Sequence, residues 1–268
     1  MVAATSDAVE RVASRVRELA VDYTPPDYSE VPGPDAALFM CAIDHRTGYR
    51  RGHRVDGEGP HEGSALLWAL GRRAERRPGR LSAAQLAEIG ADGVAEMFAI
   101  EDESVAGPDL RAALWRDLAS GLDRAYRGET DALLAACGGH LGGDRGLVAR
   151  LAEFEAYSDP VAKKSFLFAK IAARREWLEV ADPESWEVCA DNVLMRLALR
   201  AGLVAPGPLD RVRPATRLAL RGVADEAGMS PPVLDDLLWE LGRDDPGLLG
   251  TDAGDISEPP RDPGSHWY

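Results

Sequence analysis

The chain has 268 residues, 45% of them hydrophobic, which suffices for one large domain or two small ones around an apolar core. Its formal net charge of −14 argues against a long nucleic-acid duplex as partner, because such binding rests on Lys and Arg neutralising phosphates and an acidic field repels a polyanion. No run of about 18 apolar residues is present, so no transmembrane helix is expected.

Residues 1–7 lack the basic and apolar regions of a signal peptide. Three scattered cysteines, Cys41, Cys137 and Cys189, read as reduced thiols of a cytoplasmic protein rather than as a disulfide or zinc framework. The first predicted helix covers residues 7–21, with Val9, Val12, Val16 and Leu19 on one side. Proline and glycine break the pattern as far as residue 34. A short apolar segment follows over residues 36–43. Residues 44–63, polar and holding three of the five histidines, read as a loop. Leu66, Leu67 and Leu70 face inward in a helix over residues 64–77, which Pro78-Gly79 ends. Ser82-Ala83-Ala84-Gln85 reads as a capping box for a helix reaching residue 89. Asp92 caps a short helix ending near Phe98.

Residues 108–127 place Leu110, Leu114, Leu118 and Leu122 at four-residue steps in a longer helix. Two more cover residues 130–137 and 146–157, separated by the glycine-rich residues 138–143, which read as a turn. Asp159-Pro160 opens a helix through Arg175, since proline suits the first helical position. Asp191 opens the next, and helices over residues 214–227 and 231–241 complete the series. No alternating strand pattern of useful length is found. The expected fold is all-α: a single helical domain over residues 1–243, with room for two lobes around a cleft. A Gly-, Pro- and Asp-rich tail over residues 244–268 is expected to be loose, although Trp267-Tyr268 can dock on the body.

Three groups of residues carry candidate chemistry. Asp191 stands at the mouth of an apolar helix that bears Arg196 and Arg200. As an ordinary N-cap it stabilises that helix by about 1 kcal/mol; half-desolvated over a cleft, it is a candidate catalytic carboxylate. Lys163 and Lys164 lie near a helix start, where the macrodipole disfavours cations. Beside an apolar wall such a lysine serves as an amine nucleophile; alternatively it holds a phosphate as a point charge. Asp44, His45, His53, His61 and Glu62 form the third group. Their spacing fits no His-Glu-x-x-His pattern, so no metal site is expected. Solvated loop residues are one role for them; recognition of a base, with Asp44 accepting and His61 donating hydrogen bonds, is the other. There is no Gly-x-Gly-x-x-Gly, Walker loop or Gly-x-Ser-x-Gly elbow, and no cofactor is expected.

The stretch from Ala190-Asp191-Asn192 to Arg196 and Arg200 resembles the Val-Asp-Thr-His-x-x-Arg-x-x-x-Arg segment of the helix-hairpin-helix base-excision glycosylases, whose aspartate is catalytic. Residues 159–170 are similar to the lysine-bearing segment of archaeal 8-oxoguanine glycosylases, which would put a catalytic lysine at Lys164 or Lys163. More of the chain, residues 35–205, resembles the queuosine salvage family of queuosine 5′-phosphate N-glycosylases. Cys41-Ala42-Ile43-Asp44, the His61 to Trp68 stretch, Phe154…Asp159…Lys163-Lys164 and Cys189-Ala190-Asp191-Asn192-Val193 follow in that family's order. The resemblance implies a helix-hairpin-helix glycosylase-like fold. It also implies an N-glycosidase acting on a small nucleoside or nucleoside 5′-phosphate, with a 7-deazaguanine-type base among the options. Asp191 and Lys164 would be catalytic, and Asp44, His45, His61, Lys163 and Asn192 would bind substrate. The alternatives are a DNA glycosylase/lyase excising a damaged base and a non-catalytic helical binding module.

Overall fold

Helices dominate the regular structure of residues 6–256, 258–262 and 264–268, the part of the chain that the computed structural model describes. The signal-peptide reading of residues 1–7 therefore falls mostly outside the described residues. In chain order the elements are α1 (Ser6–Leu19), α2 (Pro34–Ile43), the strands β1 (His53–Val55) and β2 (Glu58–His61), and α3 (Gly63–Glu75). Then come α4 (Ala83–Leu86), α5 (Ala91–Met97), α6 (Pro108–Tyr126), α7 (Thr130–Cys137) and α8 (Leu147–Leu151). A 3-10 turn (Glu155–Tyr157) leads to α9 (Lys163–Arg174), followed by α10 (Asn192–Arg200), α11 (Leu209–Ala227) and α12 (Pro231–Asp244). The fold class is all-α as expected. The chain divides into two units, one built from Met1–Pro26 and Glu184–Ser265, the other from Asp27–Pro183 and His266–Tyr268.

The second unit is organised around α2. Every residue from Ala36 to Ile43 is buried, so this helix is apolar all round rather than amphipathic. Pro34 sits in its first turn, where the missing N–H costs nothing. Its neighbours hold its backbone as well as its side chains: the Trp115 indole donates to the Phe39 carbonyl at 2.6 Å, and the Tyr157 hydroxyl to the Leu38 carbonyl at 2.6 Å. In α6 the buried stripe runs through Arg111, Leu114, Trp115, Leu118 and Leu122, while Leu110 is 39% exposed. Four-residue steps drift by about 40° per step against a 3.6-residue turn, so the stripe shifts from Leu110 to Arg111 as it is followed back.

Several local expectations are corrected. Residues 53–61 form a two-stranded antiparallel hairpin, not a loop. Asp56-Gly57 makes its turn, with φ of 55° and 89°, the positive values that two-residue hairpin turns require. Ser82 stands at the N-cap of α4 as expected, but its side chain makes no cap hydrogen bond; its hydroxyl donates to the Gly79 carbonyl instead. The helix expected over residues 146–157 is interrupted because Phe154 leaves it to lay its ring on Gly121 of α6. A Cβ at position 121 would lie 2.4 Å from that ring. Pro160 is not in α9 either. The Asp159 carboxylate accepts from the Val161 and Lys163 amides, each at 3.0 Å, and Ala162 takes φ 52°. The helix therefore starts at Lys163 and carries both lysines in its first turn. The amides of Leu141 and Gly142, in the glycine-rich turn, donate to the Asp182 carboxylate at 2.7 and 2.9 Å.

The first unit packs α1 on α11 through Val12, Ala13 and Val16, and α10 on both α11 and α12. Leu197 of α10 lies against Gly242 of α12, with no room for a Cβ there. α11 begins at Leu209, earlier than expected, and accommodates Pro214 inside it. That proline removes one i to i−4 hydrogen bond near the start of the helix.

Candidate active site

The polar centre of the second unit lies where the C-terminal end of α2 meets the first turn of α9. Lys164 is fully buried there. Its Nζ donates to the Ala42 carbonyl at 2.5 Å and lies 3.3 Å from His45 Nδ1. Lys163 Nζ lies 3.9 Å from Asp44 Oδ2 and 3.5 Å from the Asp44 carbonyl. The same Asp44 oxygen accepts from the Trp68 indole of α3 at 3.3 Å. Beneath the loop, Arg111 of α6 donates to the backbone carbonyls of Ala106, His45 and Arg46 and holds the chain where it leaves α2.

The electrostatics follow from this burial. Desolvation pushes the Lys164 amine well below the usual lysine range, the charge on Lys163 pushes it further, and Asp44 opposes both. Its place in the first turn of α9 also disfavours a cation. Burial and then the Lys164 charge drive the His45 ring far below the usual histidine value, so the imidazole is neutral. Desolvation brings Arg111 down to about 10, which leaves it charged at neutral pH. The centre thus holds an amine poised to lose its proton and a neutral imidazole, with one charged pair beside them.

The predicted site residues fall in both units. Asp44, His45, Lys163 and Lys164 come together as described. His61 lies on β2 opposite His53, and its Nε2 is buried without a partner among the described residues. No hydrogen bond or ion pair joins His61 to Asp44 or Lys164 among those residues. His53 turns instead to Glu103, at 3.1 Å. Among the described residues no cluster of three or more His, Cys, Asp or Glu could hold a metal ion. Asp191 and Asn192 belong to the first unit. The Asp191 carboxylate caps α10, accepting from the Val193 and Leu194 amides at 2.9 and 3.1 Å, and Asn192 Oδ1 is buried with no partner among the described residues.

Two contributors went unnoticed in the sequence, Trp68 as a donor to Asp44 and Arg111 as the anchor of the loop. Arg111 had a signal, since it lies three and four residues before Leu114 and Trp115 on one helical stripe. A second signal is compositional. The chain has 28 arginines but only three lysines, Lys163, Lys164 and Lys170, all in α9 and all buried. Where arginine serves almost everywhere else as the cation, a buried lysine marks a position that needs an amine able to shed its proton.

No family model matches this chain, and no curated protein sequence does. Among solved structures it is similar to an 8-oxoguanine DNA glycosylase from Pyrobaculum aerophilum, solved in complex with 8-oxoguanosine. The identity is 15%, the TM-score 0.47, and 89% of each chain is covered. Likeness of that degree assigns no activity, and the chemistry of this chain rests on its own side chains. No helix among the described residues is long and apolar enough to cross a membrane.

Proposed function

We propose that the protein is an N-glycosidase that cleaves the base–ribose bond of a small nucleoside or nucleoside 5′-phosphate. The observation that carries the reading is Lys164: a fully buried amine, pushed well below the usual lysine range, beside a neutral imidazole and an acidic partner. An amine held well below the usual lysine range gives up its proton more readily, which suits a base or nucleophile better than a phosphate clamp. In the reaction the C1′–N bond breaks as the oxygen of water bonds to C1′, and one proton of that water goes to the departing base. Positive charge grows on the sugar, and a carboxylate stabilises it. Asp191 is proposed as that carboxylate, with Asn192 as a substrate contact. Lys164 takes up that proton from the water and passes it to the departing base. Asp44, His45 and His61 recognise the base, and Lys163, 3.9 Å from the Asp44 carboxylate, binds the phosphate. The net charge of −14 supports a small substrate over a duplex.

The test is release of free base from a panel of nucleosides and nucleoside 5′-phosphates. Asp191→Asn should abolish release and leave stability within about 0.5 kcal/mol, because the amide oxygen still caps α10. Asp191→Ala should in addition cost about 1 kcal/mol. Full turnover by Asp191→Asn would reject the role given to that carboxylate. The same desolvated amine favours one second reading, a DNA glycosylase/lyase in which Lys164 attacks C1′, the base leaves with the C1′–N bond, and the sugar ring opens to a Schiff base. Borohydride trapping of the protein on DNA carrying a damaged base distinguishes it.

A further inference from the structure

Residues 266–268 belong to the second unit although the chain before them belongs to the first. They lie outside any helix or strand and reach the lysine centre through their rings. The His266 ring meets the His45 ring edge-on, with centroids 6.3 Å apart and planes at 69°. His266 Nε2 donates to the Glu155 carbonyl at 2.8 Å. The Trp267 ring stands edge-on to His266 at 6.3 Å, and its indole N–H donates to Ser158 Oγ at 3.3 Å. Glu155 opens and Ser158 closes the 3-10 turn that precedes α9 and its Lys163 and Lys164. The segment is thus fastened to the approach of α9 and to the ring that touches Lys164.

His45 shows what the segment covers. Its Nδ1 faces the Lys164 amine at 3.3 Å; in the tautomer whose Nδ1 accepts from that amine, the neutral ring carries its proton on Nε2. That Nε2 is buried and has no partner among the described residues. A buried donor left unpaired is costly and is satisfied by any acceptor that enters. Lys164 itself is fully buried, so no ligand reaches it until something beside it moves.

We propose that residues 266–268 are a displaceable cover of the His45–Lys164 pair. A planar heterocycle with a hydrogen-bond acceptor, a nucleobase carbonyl oxygen or ring nitrogen, takes the place of the His266 ring and accepts from His45 Nε2. The proposal rests on the reading of Lys164 as the reactive centre. It deepens that reading by naming the edge of the substrate that is recognised and the segment that controls access.

The first test needs no turnover. Reductive methylation with formaldehyde and cyanoborohydride, followed by peptide mass spectrometry, reports on the only three lysine side chains of the protein. Removing residues 266–268, or substituting His266→Ala, should speed modification of Lys164 at least tenfold and leave Lys170, buried on the same helix, unchanged. Equal Lys164 rates with and without the segment would overturn the cover. So would a parallel acceleration of Lys170, which marks the segment as a brace of the fold. In the second test guanosine is titrated while the ring nitrogens of His45 are followed by 15N NMR. The shortened chain should bind at least tenfold more tightly and shift Nε2 selectively; unchanged affinity, or no response at His45, overturns the proposal. Faster Lys164 labelling with the His45 response but no base release from any nucleoside leaves the cover standing and rejects the glycosidase. Base release with labelling and affinity indifferent to the segment does the reverse.

Discussion

Lys164 and Asp191 present opposite cases at the scale of single residues. Asp191 has an evident structural job: its carboxylate satisfies two amides at the start of α10. Lys164 has no comparable benefit to stability. One hydrogen bond to the Ala42 carbonyl is worth about 1 kcal/mol, whereas the desolvation that drives this amine below the usual lysine range opposes folding. Lys164→Met should therefore leave the folded state no more than about 1 kcal/mol less stable, measured by urea unfolding, while base release falls by about 10²–10⁴-fold. A loss of several kcal/mol on that substitution would mark Lys164 as a folding anchor. Of the candidate site, the lysine pair and Asp44-His45 were legible because charged residues interrupt apolar stretches at 163–164 and after residue 43. Trp68 and His266 were not, because nothing local ties an indole or a distant imidazole to Asp44 or His45.

Among the elements, α6 and α9 position this centre. α6 does so through Arg111, whose fork of donors reaches three backbone carbonyls. Arg111→Met should destabilise the protein by at least about 2 kcal/mol, because those carbonyls lose their donor in a buried setting. Arg111→Lys should recover little, since a single ammonium cannot span the geometry of the guanidinium. Thermal or urea unfolding checks both, and an Arg111→Lys protein as stable as the parent would contradict the anchoring role. Helix existence was legible from spacing almost throughout. The errors fall where a second principle outweighed the first pattern: the Asp56-Gly57 turn nucleates a hairpin in a polar stretch, Phe154 packing on Gly121 breaks α8 from the following turn, and Asp159 folds back on the Lys163 amide before α9 can begin.

For the whole molecule, the buried amine and imidazole make stability depend on pH in one direction. Both groups have folded-state values below their ordinary ones, so the unfolded chain binds their protons more readily. The stabilisation from a neutral His45 is present above the unfolded histidine value of about 6.5 and is lost as pH falls below it. That from Lys164 grows as pH rises toward about 10.4. The urea midpoint should therefore climb between about pH 5.5 and pH 7.5, and His45→Gln should flatten that climb. Equal slopes in parent and variant would show that other groups control it.

The amino-acid sequence by itself determined which segments coil into helices, where glycine and proline interrupt them, and the acidic balance of the surface. Those properties depend on neighbours within a turn or two of the chain. Only the tertiary structure decided that Lys164 is fully buried. Its hydrogen-bond acceptor lies 122 positions earlier, at the end of a helix buried on all sides, and desolvation arises only when distant elements close around a group. The chemistry of this amine is therefore a property of packing: the same lysine in the first turn of an isolated helix would be an ordinary solvated cation.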